Sequence, residues 1–325
     1  MLLIIRDGTE RPTAALAIHC HPSRALPGHA IWRVERLMWR VSDNVRDAAF
    51  DAVVDLARSD ARVLRLVIEL FDRDVAARER NARALAARGF QRAQVPRTYA
   101  ETIAIDLDRS VESLFASIHP TARRHVRAIG KHGLEIRTID DPRSAPRLAA
   151  LLAETMARTG GSPSAIDWRA VIRLSNTEPA LSRLVGLFHR EDSSDAALLA
   201  FAWGCNQGEY VHYDAAASTR NTSIRAPLAY ALAWDLICWG HRSGACWFDF
   251  GGITRGHFGA DDPLGGISDF KRYFGQSVVA VAEDWVLEPS RIRGAVARAL
   301  GAGASLFSTV ARVGYRDKVD ADASR

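Results

Sequence analysis

Apolar residues recur along the chain with two periods, and their alternation predicts a mixed α/β protein. Near the N-terminus, the stretches AIWRVERLMW and RVLRLVIELF have the β-branched and aromatic character of strands. Each precedes a stretch with helical periodicity, SDNVRDAAFDAVVDLARSD and DVAARERNARALAARGF, and we expect the second helix to end at Gly89. Alternating strands and helices favour a sheet with helices packed on it.

A second, longer series of elements follows. Helical periodicity predicts three helices, in SVESLFASIHPTARRHVRAIGKHG, SAPRLAALLAETMART and SAIDWRAVIRLS. Three strands come next, in LSRLVGLFHR, AALLAFAWGC and EYVHYDAAA, then a helix in APLAYALAWDLICWGHRSG and closing strands in ACWFDFGG and SVVAVAEDWVLEP. We therefore predict one domain over residues 1–96, a second over 97–289 and a helical tail over 290–325, with a linker at Pro96 and Arg97.

Composition and charge are those of an ordinary globular protein. The 325 residues are 48% hydrophobic and 25% charged, and 43 Lys and Arg against 38 Asp and Glu give a net charge of +5. This modest excess is compatible with an anionic partner and does not require one. The four cysteines form no CxxC pattern, and the apolar start MLLII is too short for a signal peptide. We expect a cytoplasmic protein.

Four stretches occur in an order that resembles a known family. TARRHVRAIGKHGLEI, YVHYDAAAS, APLAYALAWDLICWGHRSGACWFDFGGI and DFKRYFG are together similar to the Fem family of peptidyltransferases, part of the wider GNAT acyltransferase superfamily. The resemblance covers roughly Tyr99 to Pro289 and implies two GNAT-like units, the first reduced and the second complete. It also implies transfer of an amino acid from aminoacyl-tRNA to an amine, on a peptidoglycan precursor in that family, with no cofactor.

The same resemblance implies a catalytic role for the DFKRYFG stretch. Lys271 would stabilise the oxyanion that forms when an amine attacks an ester carbonyl, and Phe270 would shape its pocket. An exposed lysine on a short helix is the alternative.

The stretch WFDFGG carries the other candidate groups. Asp249 alternates with Phe248 and Phe250, so in a strand its side chain lies on the opposite face from theirs. Its carboxylate would either orient a substrate amine or cap the following turn. Gly251 and Gly252 permit a positive φ or a close backbone approach to a ligand, although a tight turn alone would also explain them. With no activated Ser or Cys evident, we expect direct attack by the amine, with Asp249 or Asp214 accepting or relaying its proton.

Basic residues in two places suggest a phosphate-bearing donor. Arg123, Arg127 and Lys131 lie at i, i+4 and i+8 of a predicted helix, although such stripes are commonly just solvated faces. Arg220 and Arg225 lie in STRNTSIRAPLAYAL, where acetyl-CoA enzymes of this superfamily carry a glycine-rich turn that is missing here. That absence favours aminoacyl-tRNA over CoA.

Two alternatives to this function stay open from the sequence: an acyl-CoA-dependent N-acyltransferase of the same fold, and a non-catalytic RNA-binding module that uses the basic helix. No metal site is expected, because His19 and His21 have no third ligand nearby in the sequence. The tail combines Ile292, Val296 and Leu300 with arginines, which fits either a peripheral membrane contact or packing onto the protein.

Overall fold

The computed structural model describes residues 1–94, 98–159, 165–192, 194, 197–220, 223–224, 226–254, 256, 262, 264–297 and 299–300. They form two compact units, of which the first unites Met1–Ala100 with the chain from Val281 onward. The second unit is the continuous segment Glu101–Ala280 between them. The chain therefore leaves the first unit once and later returns to it.

The first unit is an α/β structure with, in its described part, a five-stranded main sheet. Its elements are β1 (Leu2–Arg6), β2 (Pro12–Ala17), β3 (His19–Pro22), β4 (Ala30–Leu37), α1 (Asp43–Ser59), β5 (Val63–Phe71), α2 (Val75–Ala87), β6 (Gln91–Arg92) and β14 (Ala282–Leu287). The main sheet has the order β3-β4-β5-β14-β6, and β1 pairs with β2 separately. β4 and β5 run parallel, whereas β14 runs antiparallel to β5.

The apolar periodicity of the sequence explains the core of this unit. Phe50, Val53 and Ala57 fall on one face of α1 and are fully buried in the same cluster as apolar residues of β4 and β5. After α2, Gly89 adopts a φ of +87°, the left-handed conformation in which glycine commonly ends a helix. α2 therefore ends where the sequence predicts.

The second unit has a larger mixed sheet, seven-stranded within its described part. Its elements are β7 (Glu101–Asp106), α3 (Val111–Ser117), α4 (Pro120–Ala128), a 3₁₀ turn (Ile129–His132), β8 (Leu134–Thr138), a second 3₁₀ turn (Pro142–Ser144), α5 (Ala145–Thr159), α6 (Trp168–Thr177), β9 (Ser182–His189), β10 (Leu198–Asn206), β11 (Tyr210–Ser218), α7 (Ala229–Arg242), β12 (Trp247–Gly252), α8 (Gly265–Arg272) and β13 (Val278–Ala280). The strand order is β13-β7-β12-β11-β10-β9-β8.

The parallel strands β11 and β12, inside this sheet, are paired over only three residues each before they separate. β11 and β12 are joined by the crossover helix α7, and they pair only from Tyr210 opposite Trp247 to His212 opposite Asp249. β11 runs on to Ser218 with β10 as its remaining partner. Ligands of α/β proteins commonly bind at the carboxyl ends of parallel strands, so this separation marks where to look for a site.

The stretch SVVAVAEDWVLEP does not form the single closing strand that the sequence analysis predicts. It forms β13, which pairs with β7, and β14, which pairs with β5 and β6 in the other unit. The chain changes sheets at Val281, which is fully buried and donates its N–H to the carbonyl of Ala100. The second unit accordingly ends at Ala280 and not at residue 289.

Other predictions concern residues outside this description or stay untested. The predicted linker at Pro96 and Arg97 lies outside the described residues, as do residues 301–325 of the predicted tail. No helix in the described ranges is both long enough and apolar enough to cross a membrane.

Candidate functional site

Asp249 is a fully buried carboxylate at the point where β11 and β12 separate. Its neighbours Phe248 and Phe250 are also fully buried and belong to the apolar core of the second unit. The Oδ1 atom of Asp249 accepts hydrogen bonds from Thr102 Oγ1 at 2.6 Å and from the Gly251 N–H at 2.9 Å. The carboxylate therefore holds the turn that follows it, one of the two roles considered for it from the sequence.

Gly251 is the residue that needs to be glycine in this turn. It adopts a φ of +73°, and the pairing of β12 with β7 shifts register between Asp249 and Gly252. Gly252 lies outside the left-handed region, so of the two glycines that permit a positive φ only Gly251 adopts one. The bulge places the positive φ at Gly251, one residue before Gly252.

Lys271 is buried, which contradicts the alternative of an exposed lysine on a short helix. Its side chain lies on α8 with 8% of the residue exposed, and its ammonium group donates a hydrogen bond to the carbonyl of Gly252 at 2.5 Å. Burial lowers the pKa of Lys271 to about 8, and the nearby charge of Asp249 opposes that shift. A lysine with such a pKa changes its charge close to neutral pH.

His212 is a residue of this site that the sequence analysis missed. It lies on β11 directly opposite Asp249 and is 7% exposed. Its Nδ1 atom lies 3.1 Å from Asp214 Oδ1, and its Nε2 atom lies 3.8 Å from Asp249 Oδ2. The i, i+2 spacing of His212 and Asp214 in a strand was a signal that both lie on one face.

His212 and Lys271 converge on Gly251. A Cβ atom built on that glycine would lie 3.7 Å from His212 Nε2, 3.7 Å from Lys271 Nζ and 3.7 Å from the carbonyl oxygen of Tyr213. Because Gly251 has no side chain, the imidazole of His212 and the ammonium of Lys271 both lie close to the backbone of the turn.

Phe270 lies next to Lys271 in an aromatic cluster. Its ring centroid is 5.0 Å from that of Tyr230, 6.2 Å from Phe250 and 5.4 Å from Phe274. Burial, followed by the influence of Tyr273 and Asp269, raises the pKa of Tyr230 to about 12, so its hydroxyl stays protonated. The cluster packs α8 against α7 and β12, which fixes the backbone that carries Lys271.

The basic stripe predicted on α4 is divided by the structure. Arg123 donates hydrogen bonds to the carbonyls of Ala116 and Ile118 at the end of α3, and the Arg127 guanidinium lies 4.9 Å from the ring centroid of Phe115. α4 ends at Ala128, so Lys131 lies in the 3₁₀ turn beyond it and is exposed. Arg123 therefore stabilises the α3–α4 corner, while Arg127 and Lys131 keep exposed charges.

The remaining predicted donor-binding residues follow β11 in the sequence. Arg220 is exposed, and its backbone N–H donates to Glu154 Oε1 at 2.8 Å. Arg225 lies outside the described residues. In the described part of the chain, no group of three or more His, Cys, Asp or Glu side chains is arranged to hold a metal ion.

Comparison with known proteins identifies the fold. No family model matches the sequence, and no curated protein matches it. The solved structure of FemX covers 89% of this chain and 88% of its own, at 16% identity and a TM-score of 0.68. The fold is Fem-like. The likeness in fold that the sequence resemblance implies and the predicted mixed α/β architecture are thereby confirmed.

Two further solved structures share this architecture. The C-terminal domain of a protein assigned as a lysylphosphatidylglycerol synthetase from Agrobacterium fabrum matches at 13% identity and a TM-score of 0.55, over 94% of this chain and 89% of its own. L-PGS from Bacillus licheniformis matches at 12% identity and a TM-score of 0.51, over 87% of this chain and 89% of its own. Identities of this size show a shared fold.

Proposed function

We propose that this protein is an acyltransferase that moves an aminoacyl group from aminoacyl-tRNA to an amine. The observation that carries the proposal is the convergence of Lys271 Nζ and His212 Nε2 beside Gly251, where β11 and β12 separate. The Fem-like fold supports it, because the sequence resemblance to Fem peptidyltransferases and the structural likeness to FemX coincide in the same chain. The name of one other neighbour refers to lysylphosphatidylglycerol, which is also an aminoacyl product.

The proposed chemistry is direct attack of the amine on the ester carbonyl of the donor. Attack generates a tetrahedral oxyanion, and the Lys271 ammonium, held by the Gly252 carbonyl, is the nearby cation that would stabilise it. Because water is largely excluded from Lys271, its charge acts on the oxyanion with little screening. Asp249 maintains the turn that presents this arrangement.

Aminoacyl-tRNA is the preferred donor for two reasons. The segment before α7 lacks the glycine-rich turn that binds the CoA pyrophosphate in acetyl-CoA enzymes, and the described part of the chain offers exposed cations at Arg127, Lys131 and Arg220. The acyl-CoA-dependent N-acyltransferase stays the second candidate, since the reaction at the amine would be the same.

The acceptor amine is proposed to lie on a cell-wall precursor, a peptide or a small molecule, in part at a membrane surface. Residues 291–297 are helical, and Ile292, Val296 and Leu300 are 79%, 46% and 48% exposed while Ala297 is buried. An apolar face left exposed beside arginines suits the surface of an anionic bilayer. Sedimentation with phosphatidylglycerol vesicles should fall when Ile292 and Val296 are both changed to Ser, and unchanged sedimentation would contradict the membrane contact.

One product assay tests the proposed activity and separates the candidates. The protein is incubated with pooled aminoacyl-tRNA, or with acetyl-CoA, and a panel of amines, and the products are identified by mass spectrometry. We expect aminoacylated amines, a turnover roughly 100- to 1000-fold lower for Lys271→Ala, and partial rescue by Lys271→Arg. Acetylated products alone would establish the CoA-dependent alternative. RNA binding without transfer to any amine would establish the non-catalytic one.

A further inference from the structure

The second unit contains a small cavity that the proposed acyl transfer does not use. Its volume is about 140 Å³, below the roughly 300–1,000 Å³ of pockets for drug-sized ligands. Since one water takes up about 30 Å³, the cavity has room for a small chemical group. The described residues that line it do not include Lys271 or its neighbours. Among those that do are Arg137 of β8, Phe188 of β9, Leu198 of β10, Ser144 and Arg147.

Arg137 is held at this cavity by an aromatic ring. It pairs with Gly186 across the β8–β9 ladder, and its guanidinium carbon lies 4.1 Å from the ring centroid of Phe188. A Cβ atom at Gly186 would lie 2.6 Å from Phe188 Cε2, so the ring can take this position because residue 186 is a glycine. The Nε atom of Arg137 also lies 3.0 Å from Glu135 Oε1. The side chain is therefore fixed on one face and along one edge.

Arg147 is anchored by one nitrogen as well. It lies in the first turn of α5, is half-buried, and donates from Nε to the carbonyl of Leu198 at 3.0 Å. Leu198 is opposite Phe188 in the pairing of β10 with β9. Among the described residues, none accepts a hydrogen bond from the Nη1 or Nη2 atoms of Arg137 or Arg147. Two oriented guanidinium groups therefore keep their terminal donors available at one cavity.

The charges around the cavity favour an anion, although one carboxylate also lines it. Asp192 Oδ1 accepts a hydrogen bond from the N–H of Ser194 at 2.8 Å, so this carboxylate is engaged in its own turn. Glu135 is shared between two cations, because its Oε2 lies 3.5 Å from Arg190 Nε and its Oε1 faces Arg137. The arginines at and beside the cavity therefore outnumber the carboxylates, and the excess charge is positive.

We propose that this cavity binds a phosphate group. The planar guanidinium groups of Arg137 and Arg147 match phosphate oxygens in two-point contacts, and the Ser144 hydroxyl supplies a further donor. Phosphate suits donors that come from β8 and α5 better than carboxylate does, because it presents more acceptor oxygens in more directions. The group belongs either to a free phosphate compound or to an RNA backbone. The proposal goes beyond the acyl transfer and does not depend on it.

The test is calorimetric titration of the full chain at one ionic strength, with inorganic phosphate and separately with tRNA. We expect the wild type to bind phosphate with a Kd of about 1 mM or lower. Arg137→Ala and Arg147→Ala should each weaken binding about 10-fold or more, and Arg147→Lys should weaken it less, because lysine keeps the charge without the planar fork. Arg169→Ala and Arg173→Ala, exposed on α6, are the matched controls, since they remove the same charge elsewhere and should bind as the wild type does.

The two titrations also distinguish the sources of the phosphate. Weaker RNA binding by the variants of Arg137 and Arg147 assigns it to the RNA backbone, and weaker binding of inorganic phosphate alone assigns it to a free compound. A wild type that binds neither, or variants that bind both as tightly as the wild type, would overturn the proposal. If an alanine variant fails to fold, Arg147→Lys decides, because undiminished affinity there would contradict recognition by the fork. In nitrogen-15 NMR, phosphate should shift the Nε resonances of Arg137 and Arg147 but not that of Arg173, and unshifted resonances would contradict the site.

Discussion

Lys271 keeps an ammonium group in a place where burial opposes its charge. Its pKa of about 8 lies below the ordinary value of 10.5, because desolvation outweighs the attraction of Asp249. Between these two values the unfolded chain binds a proton that the folded chain does not, so this residue makes stability rise with pH through that window. Below a pH of about 8 the folded protein carries the buried charge at a cost on the order of 3 kcal/mol.

The first prediction concerns the stability of Lys271→Met, which keeps the length of the side chain without the charge. We expect the variant to have a larger free energy of unfolding than the wild type. The difference should be largest at about pH 7, where the folded wild type carries the buried charge, and should shrink towards about pH 10. Urea unfolding followed by circular dichroism across this range measures it. Parallel pH dependences for the two proteins would show that Lys271 is not charged inside the fold at neutral pH.

The second prediction compares two adjacent glycines. Gly251→Ala forces a side chain into the left-handed region and should cost about 1–2 kcal/mol of stability. Its Cβ would also contact His212 Nε2 and Lys271 Nζ, each 3.7 Å away, so activity should fall further than stability explains. Gly252→Ala is the matched control and should retain more of both. Equal effects at the two positions, in thermal unfolding and in turnover, would argue against this account of the bulge.

At the scale of elements, the basic residues Arg123, Arg127 and Lys131 form one stripe in the sequence but have different roles in the structure. Arg123 stabilises the corner between α3 and α4, whereas Arg127 and Lys131 are exposed. The third prediction is that Arg123→Ala lowers the melting temperature, because the carbonyls of Ala116 and Ile118 lose their donor. Arg127→Ala and Lys131→Ala should leave the melting temperature nearly unchanged. Each should instead reduce the slope of log tRNA affinity against log salt by up to about 1. An unaltered slope in the double variant would place the RNA elsewhere.

Local sequence patterns predict some elements of this fold but not the contacts between strands that are distant in the chain. α1, α2 and β5 follow from local periodicity, since one buried face or one buried run is visible within each stretch. The pairing of His212 with Asp249 could not be predicted in that way, because α7 separates β11 from β12 in the chain. The burial of Lys271 was equally hidden, since it depends on how α8 packs against the turn at Gly251. Lys271 was found through the family resemblance, whereas Asp249 and Gly251 were singled out from the local pattern of the WFDFGG stretch.

At the scale of the whole molecule, the second unit is an insertion within the first. Its first and last strands, β7 and β13, pair with each other, and Glu101 lies opposite Ala280. The two ends of the inserted segment are therefore neighbours. In the first unit, β14 has β5 on one side and β6 on the other, so the sheet is interrupted without the C-terminal segment.

The fourth prediction follows from this connectivity. A fragment of residues 101–280 should fold on its own, with a cooperative unfolding transition and the circular dichroism of a mixed α/β protein. A fragment of residues 1–100 should not, and co-expression with residues 281–300 should restore a folded complex. Cooperative unfolding of the 1–100 fragment alone would show that β14 is dispensable.

Because β14 follows the inserted unit in the chain, the main sheet of the first unit can be completed only after the inserted unit has been synthesised. β5 is buried along nearly its whole length, yet its antiparallel neighbour is synthesised roughly 200 residues later, a delay on the order of 10–40 seconds at ordinary elongation rates. Throughout that interval the nascent chain exposes an unpaired, strongly apolar strand edge, which is a surface on which polypeptides aggregate. The inserted unit, Glu101–Ala280, is fully synthesised before β14 is. We therefore expect the N-terminal segment to need protection by chaperones until translation has passed residue 287.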